Sequence, residues 1–429
     1  MPVHSGPEAH RRVGRLRLSL VGALLIGGLA AGCSPTPTTT TPSASPSSGS
    51  AAGSPSQSTG AASSAVPPST SSGAGTPSSV VPKAPVPVPA PSRTVALSQE
   101  QLAGQRIIYS YPGLTPPAAL LQRIREGEAA GVIFFGQNVS SEAQLRSAIT
   151  QLRQAQAASP IHEPLLLMTD QEGGEIRRLP GAPTMSAKQI GATGNPAVAA
   201  SAGTDAARNL AGVGMNLNLA PVLDVYHSAG DFADSAQRSF SSTPAVVASM
   251  GRAFLTAQQQ AGVAATAKHF PGLGAAGRGQ NTDLGPVTVN ESLATLRGVD
   301  EAPYPAAIAS GVKLIMLSWA VYPALDPARP AGMSPTIVQQ ELRTRLGFTG
   351  VTVTDALEAK ALDSFGTMAQ RAVAAAGAGM DLLLCSSQNV GQGETATTAL
   401  VNALNSGALD ATGFRAAADR VTALRAQLR

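Results

Sequence analysis

From about residue 95 onward, short apolar runs alternate with stretches of helical period. The runs lie at 106–110, 131–135, 164–170, 215–219, 264–270, 313–319, 350–355 and 380–386. Most show no polar alternation, which is the pattern of a parallel strand covered on both faces. Between them, helical spacing runs over 116–130, 142–157, 197–211, 244–261, 303–310, 335–346 and 368–376, and helices 394–405 and 412–428 follow the last run. Eight strands alternating with helices predict an α/β fold of the (β/α)8 TIM-barrel type, and a span of about 330 residues suits it. The competing architecture is an open doubly wound sheet. No glycine-rich dinucleotide loop follows the first run, which weighs against that sheet.

The front of the chain has a different composition. Residues 1–32 read as a signal peptide, with Arg11, Arg12, Arg15 and Arg17 ahead of an apolar run that ends Leu29-Ala30-Ala31-Gly32. The run is too short to span a bilayer comfortably. Small residues directly before Cys33 resemble a bacterial lipobox, which would make Cys33 the lipidated mature N-terminus. The competing reading is an ordinary signal peptide with a chance cysteine, and Arg11-Arg12 hints weakly at a twin-arginine signal. Residues 33–94 are Ser, Thr, Pro, Ala and Gly with almost no large apolar side chain. Such a segment cannot bury enough surface to offset its ordering entropy and reads as a disordered linker of roughly 45 Å r.m.s. span. The folded domain is then 95–429.

Charge changes the picture little. The formal net charge is +4, and the signal-like segment carries +3 of it, so the folded part is near neutral. No basic stripe remains to follow a phosphate backbone, and nucleic acid is not an expected partner. Cys33 and Cys385 are the only cysteines, so no disulfide framework exists. Cys385, in the run Leu382-Leu383-Leu384-Cys385, reads as a buried small hydrophobe. The five histidines show no metal spacing, and there is no P-loop and no Gly-x-Ser-x-Gly elbow.

In a barrel the active site forms at the C-terminal strand ends. The residues there are polar: Asp170-Gln171-Glu172 after the third run, Asp224 beyond the fourth, Lys268-His269 in the fifth, Trp319 in the sixth and Asp355 in the seventh. Carboxylates and a lysine suit a polyhydroxylated ligand, and Trp319 is expected to pack on a sugar face.

The strings "TDQEGG", "NLNLAPVLDV", "QRSFSS", "KHFPG" and "VTDALE", in that order, resemble family 3 of the glycoside hydrolases, and within it the single-barrel β-N-acetylglucosaminidase branch. The resemblance covers about 99–429. It implies Asp355 as the nucleophile of a retaining mechanism; the plain alternative for this residue is a helix N-cap. It implies Asp170, Lys268, His269 and Arg238 as substrate-binding residues, with Arg178 a further contact. The alternative for Lys268 and His269 is a buried structural pair, and for Arg238 an ion pair with Asp224 or Asp234. No cofactor is implied.

The chain departs from that pattern in three places. The branch carries Asp-Ser-His in the loop after "KHFPG", and its His is the acid/base; here Asn281-Thr282-Asp283 stands at the nearest match. Asp283 is therefore the candidate acid/base, and a solvated loop residue is the alternative. Trp319 replaces a frequent His, and Glu175 a usual Arg. The glycines of 272–279 suggest a mobile loop, either a lid able to close over substrate or merely a flexible connection, which sequence does not separate.

The expectation is a lipid-anchored, extracytoplasmic exo-glycosidase that removes terminal β-linked N-acetylglucosamine from cell-wall saccharides or muropeptides. The alternatives are a sugar-binding surface lipoprotein that lost its acid, and a β-glucosidase.

Overall fold

A computed structural model describes residues 97–428. The signal-like segment, Cys33 and the whole of the linker lie outside the described residues. The predicted barrel is present. Strands β1 Ile107–Tyr109, β2 Gly131–Ile133, β3 Leu166–Thr169, β4 Leu217–Asn218, β5 Ala264–Phe270, β6 Leu314–Leu317, β7 Val351–Ala356 and β8 Leu382–Leu384 close into one parallel barrel, β1 pairing with both β2 and β8. Each falls within or against a predicted run.

The absence of polar alternation has a direct cause. Successive strand residues point to opposite faces, and both faces are buried. Ile108, Ile133, Leu166, Met168, Leu217, Leu314, Met316, Val351, Val353, Leu382 and Leu384 belong to the cluster inside the barrel. Their neighbours Ile107, Val132, Leu167, Ile315, Leu317 and Leu383 pack outward in the larger cluster that includes the helices. The helices stop and start on local chemistry. Ser141 caps Glu142–Ala157 by accepting from the Gln144 N–H, Pro196 opens Pro196–Val213, and Gly214 closes it at φ +98°. The helix predicted over 116–130 is shorter, Ala118–Arg125, because Gly127 takes φ +79° and turns the chain toward β2. Two small hairpins stand outside the predicted scheme, Gln171–Gly173 with Ile176–Arg177 and Val321–Tyr322 with Asp326–Pro330. Both lie in loops that leave strand C-terminal ends.

The opposite end of the barrel is knotted by charge. Asp381, fully buried just before β8, accepts from Arg343 Nη2 at 2.6 Å, Arg420 Nη2 at 2.8 Å and the Thr352 N–H at 2.8 Å. Removing one member of a buried ion cluster leaves the others uncompensated. Asp381→Ala is expected to cost about 3–5 kcal/mol in chemical denaturation. A loss below about 1 kcal/mol would mean the two arginines find water instead.

Candidate active site

The inward rows of the barrel end in its polar residues. The odd row of β7, Val351 and Val353, continues to Asp355. The even row of β3, Leu166 and Met168, continues to Asp170. The even row of β5 reaches Lys268, that of β8 reaches Ser386, and the odd row of β2 reaches Phe135. All of these line one cavity of about 330 Å³ at the C-terminal end of the barrel. Arg178, Arg238, His269 and Asp283 line it too, so the seven residues nominated as catalytic or substrate-binding are brought together.

Lys268 is the centre of the charged floor. Its Nζ lies 2.7 Å from Asp170 Oδ1 and 2.7 Å from Glu172 Oε1 with only 2% of the side chain exposed. Burial alone would lower an ammonium pKa, but the two carboxylates outweigh it and hold Lys268 above its ordinary value. An ammonium has three protons, and the third remains for a ligand. Glu172 also takes a two-pronged contact from Arg238, Nε to Oε2 at 2.9 Å and Nη2 to Oε1 at 2.7 Å. Burial would raise its carboxyl; Arg238 and Lys268 instead hold it well below the carboxylate range. The ion-pair partner of Arg238 is thus Glu172. Asp224 and Asp234, the partners weighed from sequence, are engaged elsewhere: Asp234 pairs with Lys188 at 2.6 Å.

Asp224 orients the imidazole. Its Oδ2 lies 2.7 Å from His269 Nδ1, and its Oδ1 accepts from the backbone N–H of His269 at 3.1 Å and of Leu273 at 2.8 Å. Burial opposes the charge of Asp224, and His269 with the two N–H donors overcomes it, so the carboxyl sits below its ordinary value. A carboxylate only accepts, which places the proton on Nδ1 and leaves Nε2 beside Arg238 Nη2 at 3.4 Å. Arg178 is held by its backbone N–H to Gln171 Oε1 at 3.1 Å, and its Nε is buried without a partner.

Asp355 Oδ1 accepts from the Ala356 N–H at 2.7 Å. Burial, and then the negative charge of Asp283, push its carboxyl above the ordinary range, against the pull of His269 and Lys268. Asp283 is exposed at the cavity mouth, on a turn where its N–H donates to Asn281 Oδ1 at 2.9 Å.

Two expectations are corrected. Trp319 does not face the mouth. It falls on the outward row of β6 with Ile315 and Leu317, is 1% exposed, and donates from Nε1 to the Ala356 carbonyl at 2.8 Å. It braces the end of the strand that carries Asp355 and offers no face to a sugar. The glycines of the loop after β5 serve close packing more than freedom: a Cβ on Gly274 would lie 1.8 Å from the Val225 carbonyl, and Leu273 and Ala276 are buried. Only Arg278, Gly279 and Gln280 are exposed as a tip. Glu175 is exposed on its hairpin and does not line the cavity. Glu172 was missed as a site residue, although its two-residue spacing from Asp170 on an extended segment was the available signal.

The raised pKa of Asp355 has a stability consequence. A carboxyl whose folded value exceeds its unfolded one is destabilising above the folded value and neutral well below the unfolded one. Asp355→Asn is therefore expected to raise the melting temperature at pH 7–8, with the gain vanishing as the pH falls toward about 4. A gain independent of pH, or none, would contradict the assigned burial of charge.

Comparison with known proteins agrees with this geometry. The model of the glycosyl hydrolase family 3 N terminal domain matches residues 101–424. An uncharacterized secreted glycosyl hydrolase of Arthroderma benhamiae is 48% identical over 344 residues, covering 80% of this chain and 96% of the relative. A beta-hexosaminidase of Xanthomonas oryzae pv. oryzae is 33% identical over 312 residues, 69% of this chain and 90% of the relative. The structure of a family 3 beta-N-acetylglucosaminidase from Paenibacillus sp. str. FPU-7 superposes with a TM-score of 0.73 at 33% identity over 77% of this chain, which spans 63% of that protein. With the matched region embracing all eight strands and every residue of the cavity, the chain belongs to glycosyl hydrolase family 3.

Proposed function

We propose that the protein is a retaining exo-glycosidase that releases terminal β-linked N-acetylglucosamine. The observation that carries this reading is that Asp355 and Asp283 both line one small cavity whose floor is the Asp170–Lys268–Glu172–Arg238 network. Asp355 Oδ1 is occupied by the Ala356 N–H, which leaves Oδ2 to attack the anomeric carbon. The glycosidic oxygen departs with the proton of Asp283, and a glycosyl ester forms on Asp355. Water then attacks the ester, gives a proton to Asp283 and frees Asp355, with net retention. Lys268 and Asp170 are placed to donate to and accept from sugar hydroxyls. A cavity of about 330 Å³ is at the small end of ligand sites, which favours one terminal sugar over a bound chain. The choice of N-acetylglucosamine is supported by the activity of the Paenibacillus relative, a beta-N-acetylglucosaminidase, and the Xanthomonas beta-hexosaminidase supports a hexosamine more broadly.

Two substrates separate the roles. An aryl N-acetyl-β-glucosaminide has a leaving group that needs little protonation, and a wall-derived disaccharide does not. Asp355→Asn should abolish turnover of both. Asp283→Asn should reduce disaccharide turnover by about 10²-fold or more and the aryl substrate far less. It should also move the acidic limb of kcat/KM on the aryl substrate to lower pH, because a charge that raises Asp355 is gone. Equal effects on both substrates would remove Asp283 from the role. Faster turnover of an aryl β-glucoside would favour a β-glucosidase, and sugar binding without turnover a binding lipoprotein.

The place of action is proposed from sequence: export, lipidation at Cys33, and a tether over 33–94 that carries the barrel to cell-wall saccharides. Cys33→Ala should release the protein from the membrane fraction. Retention there would show that something other than a lipid holds it.

A further inference from the structure

The turn that presents Asp283 is fastened to the chain segment that leaves the nucleophile. Leu284 and Gly285 N–H both donate to the Asn281 carbonyl, at 3.0 and 3.1 Å, closing a tight turn. The Ala361 N–H donates to the Thr282 carbonyl at 3.0 Å, and the Lys360 N–H to the Asp283 carbonyl at 3.3 Å. Lys360 and Ala361 open the 3-10 helix Lys360–Phe365. The first N–H groups of a helix have no partner within it, and here two of them are spent on the acid-bearing turn. The segment they belong to is itself fixed. The Ala356 carbonyl accepts from Trp319 Nε1, the Leu357 N–H donates to the Leu384 carbonyl at 3.1 Å, and Leu357, Ala359 and Leu362 are buried.

The turn is anchored on both flanks as well. On the way in, the loop packs through Leu273, Gly274 and Ala276. On the way out, Val289 N–H donates to the Val321 carbonyl and Val321 N–H to the Val287 carbonyl, each at 2.9 Å, so the exit is tied to the post-β6 hairpin by an isolated bridge at Thr288. The exposed Arg278–Gln280 tip is closed on the loop itself, with the Gln280 N–H donating to the Gly277 carbonyl at 2.9 Å and the Gly277 N–H to Gln280 Oε1 at 2.7 Å.

We infer that the backbone N–H groups of Lys360 and Ala361 are positioning groups that hold Asp283 in place relative to Asp355, so that the acid/base is set by the fold and not by a lid closing on substrate. This rests on the assignment of Asp283 as acid/base.

Proline at position 360 tests it. Lys360 is exposed and is the first helical residue, where proline is tolerated. The preceding Ala359 already has φ −52° and ψ 136°, the conformation a residue before proline prefers. Lys360→Pro deletes one donor; Lys360→Ala keeps it. The expected result is a fall in disaccharide kcat of about tenfold for Lys360→Pro, less than about twofold on the activated aryl glucosaminide, and recovery of the wild-type ratio in Lys360→Ala. Equal losses on the two substrates, no loss on either, or the same loss in both variants overturns the inference. Residue-resolved hydrogen exchange on the ligand-free enzyme is the readout independent of activity. Slow exchange at the Lys360 and Ala361 amides supports a docked turn, and exchange at the unprotected rate overturns it. Failure of the functional assignment would show separately, as a wild-type enzyme that releases no N-acetylglucosamine.

Discussion

Lys268 stands on the inward row of β5, at a depth where water is almost excluded. An ammonium there persists only with charged partners within hydrogen-bond reach. That requirement fixes its neighbours. Asp170 must end the inward row of β3, and Glu172 must follow it at a two-residue spacing. Arg238 must come from a separate loop to balance Glu172. Asp224 then holds His269, the next residue along β5, by both backbone and side chain. The floor of the cavity is thus a set of charges that satisfy one another and leave a few donors and acceptors over for a ligand.

Above this floor the two carboxylates differ in kind. Asp355 is carried by a barrel strand, its charge disfavoured by burial and by Asp283. Asp283 is carried by a loop turn at the solvent edge. In retaining glycosidases one carboxyl must be ionised to attack while the other keeps a proton to give; here burial and Asp283 both work against the ionised form of Asp355, so the environment of the strand residue does not by itself divide those roles. Asn281, Thr282 and Asp283 all line the cavity, so the turn that carries the second carboxylate borders the same space as Asp355.

The eight strands were legible because each is buried on both faces and so reads as an uninterrupted apolar run. That the nominated residues share one cavity was legible through motif order, and for Asp170, Lys268 and Asp355 also through their places at strand ends. What the reading lost was parity. Taking the last polar or aromatic residue of each run put Trp319 in the mouth, whereas counting in twos from Leu314 and Met316 places Ser318 inward and Trp319 outward. The same counting from Val351 selects Asp355, and from Leu166 selects Asp170. Glu172 was passed over for lack of any sign that Lys268 would need two carboxylates. The glycine-rich loop misled for a related reason. Glycine marks both loose chain and close backbone approach, and only the contact of Gly274 with the Val225 carbonyl tells which applies.

The account stands or falls on covalent attack by Asp355. Incubating the enzyme with a slow 5-fluoro N-acetylglucosaminyl inactivator and mapping the adduct by peptide mass spectrometry tests this directly. The account predicts one hexosamine-sized ester on the peptide that contains Asp355. An adduct on another carboxylate, or full inactivation with no covalent mass, would contradict it.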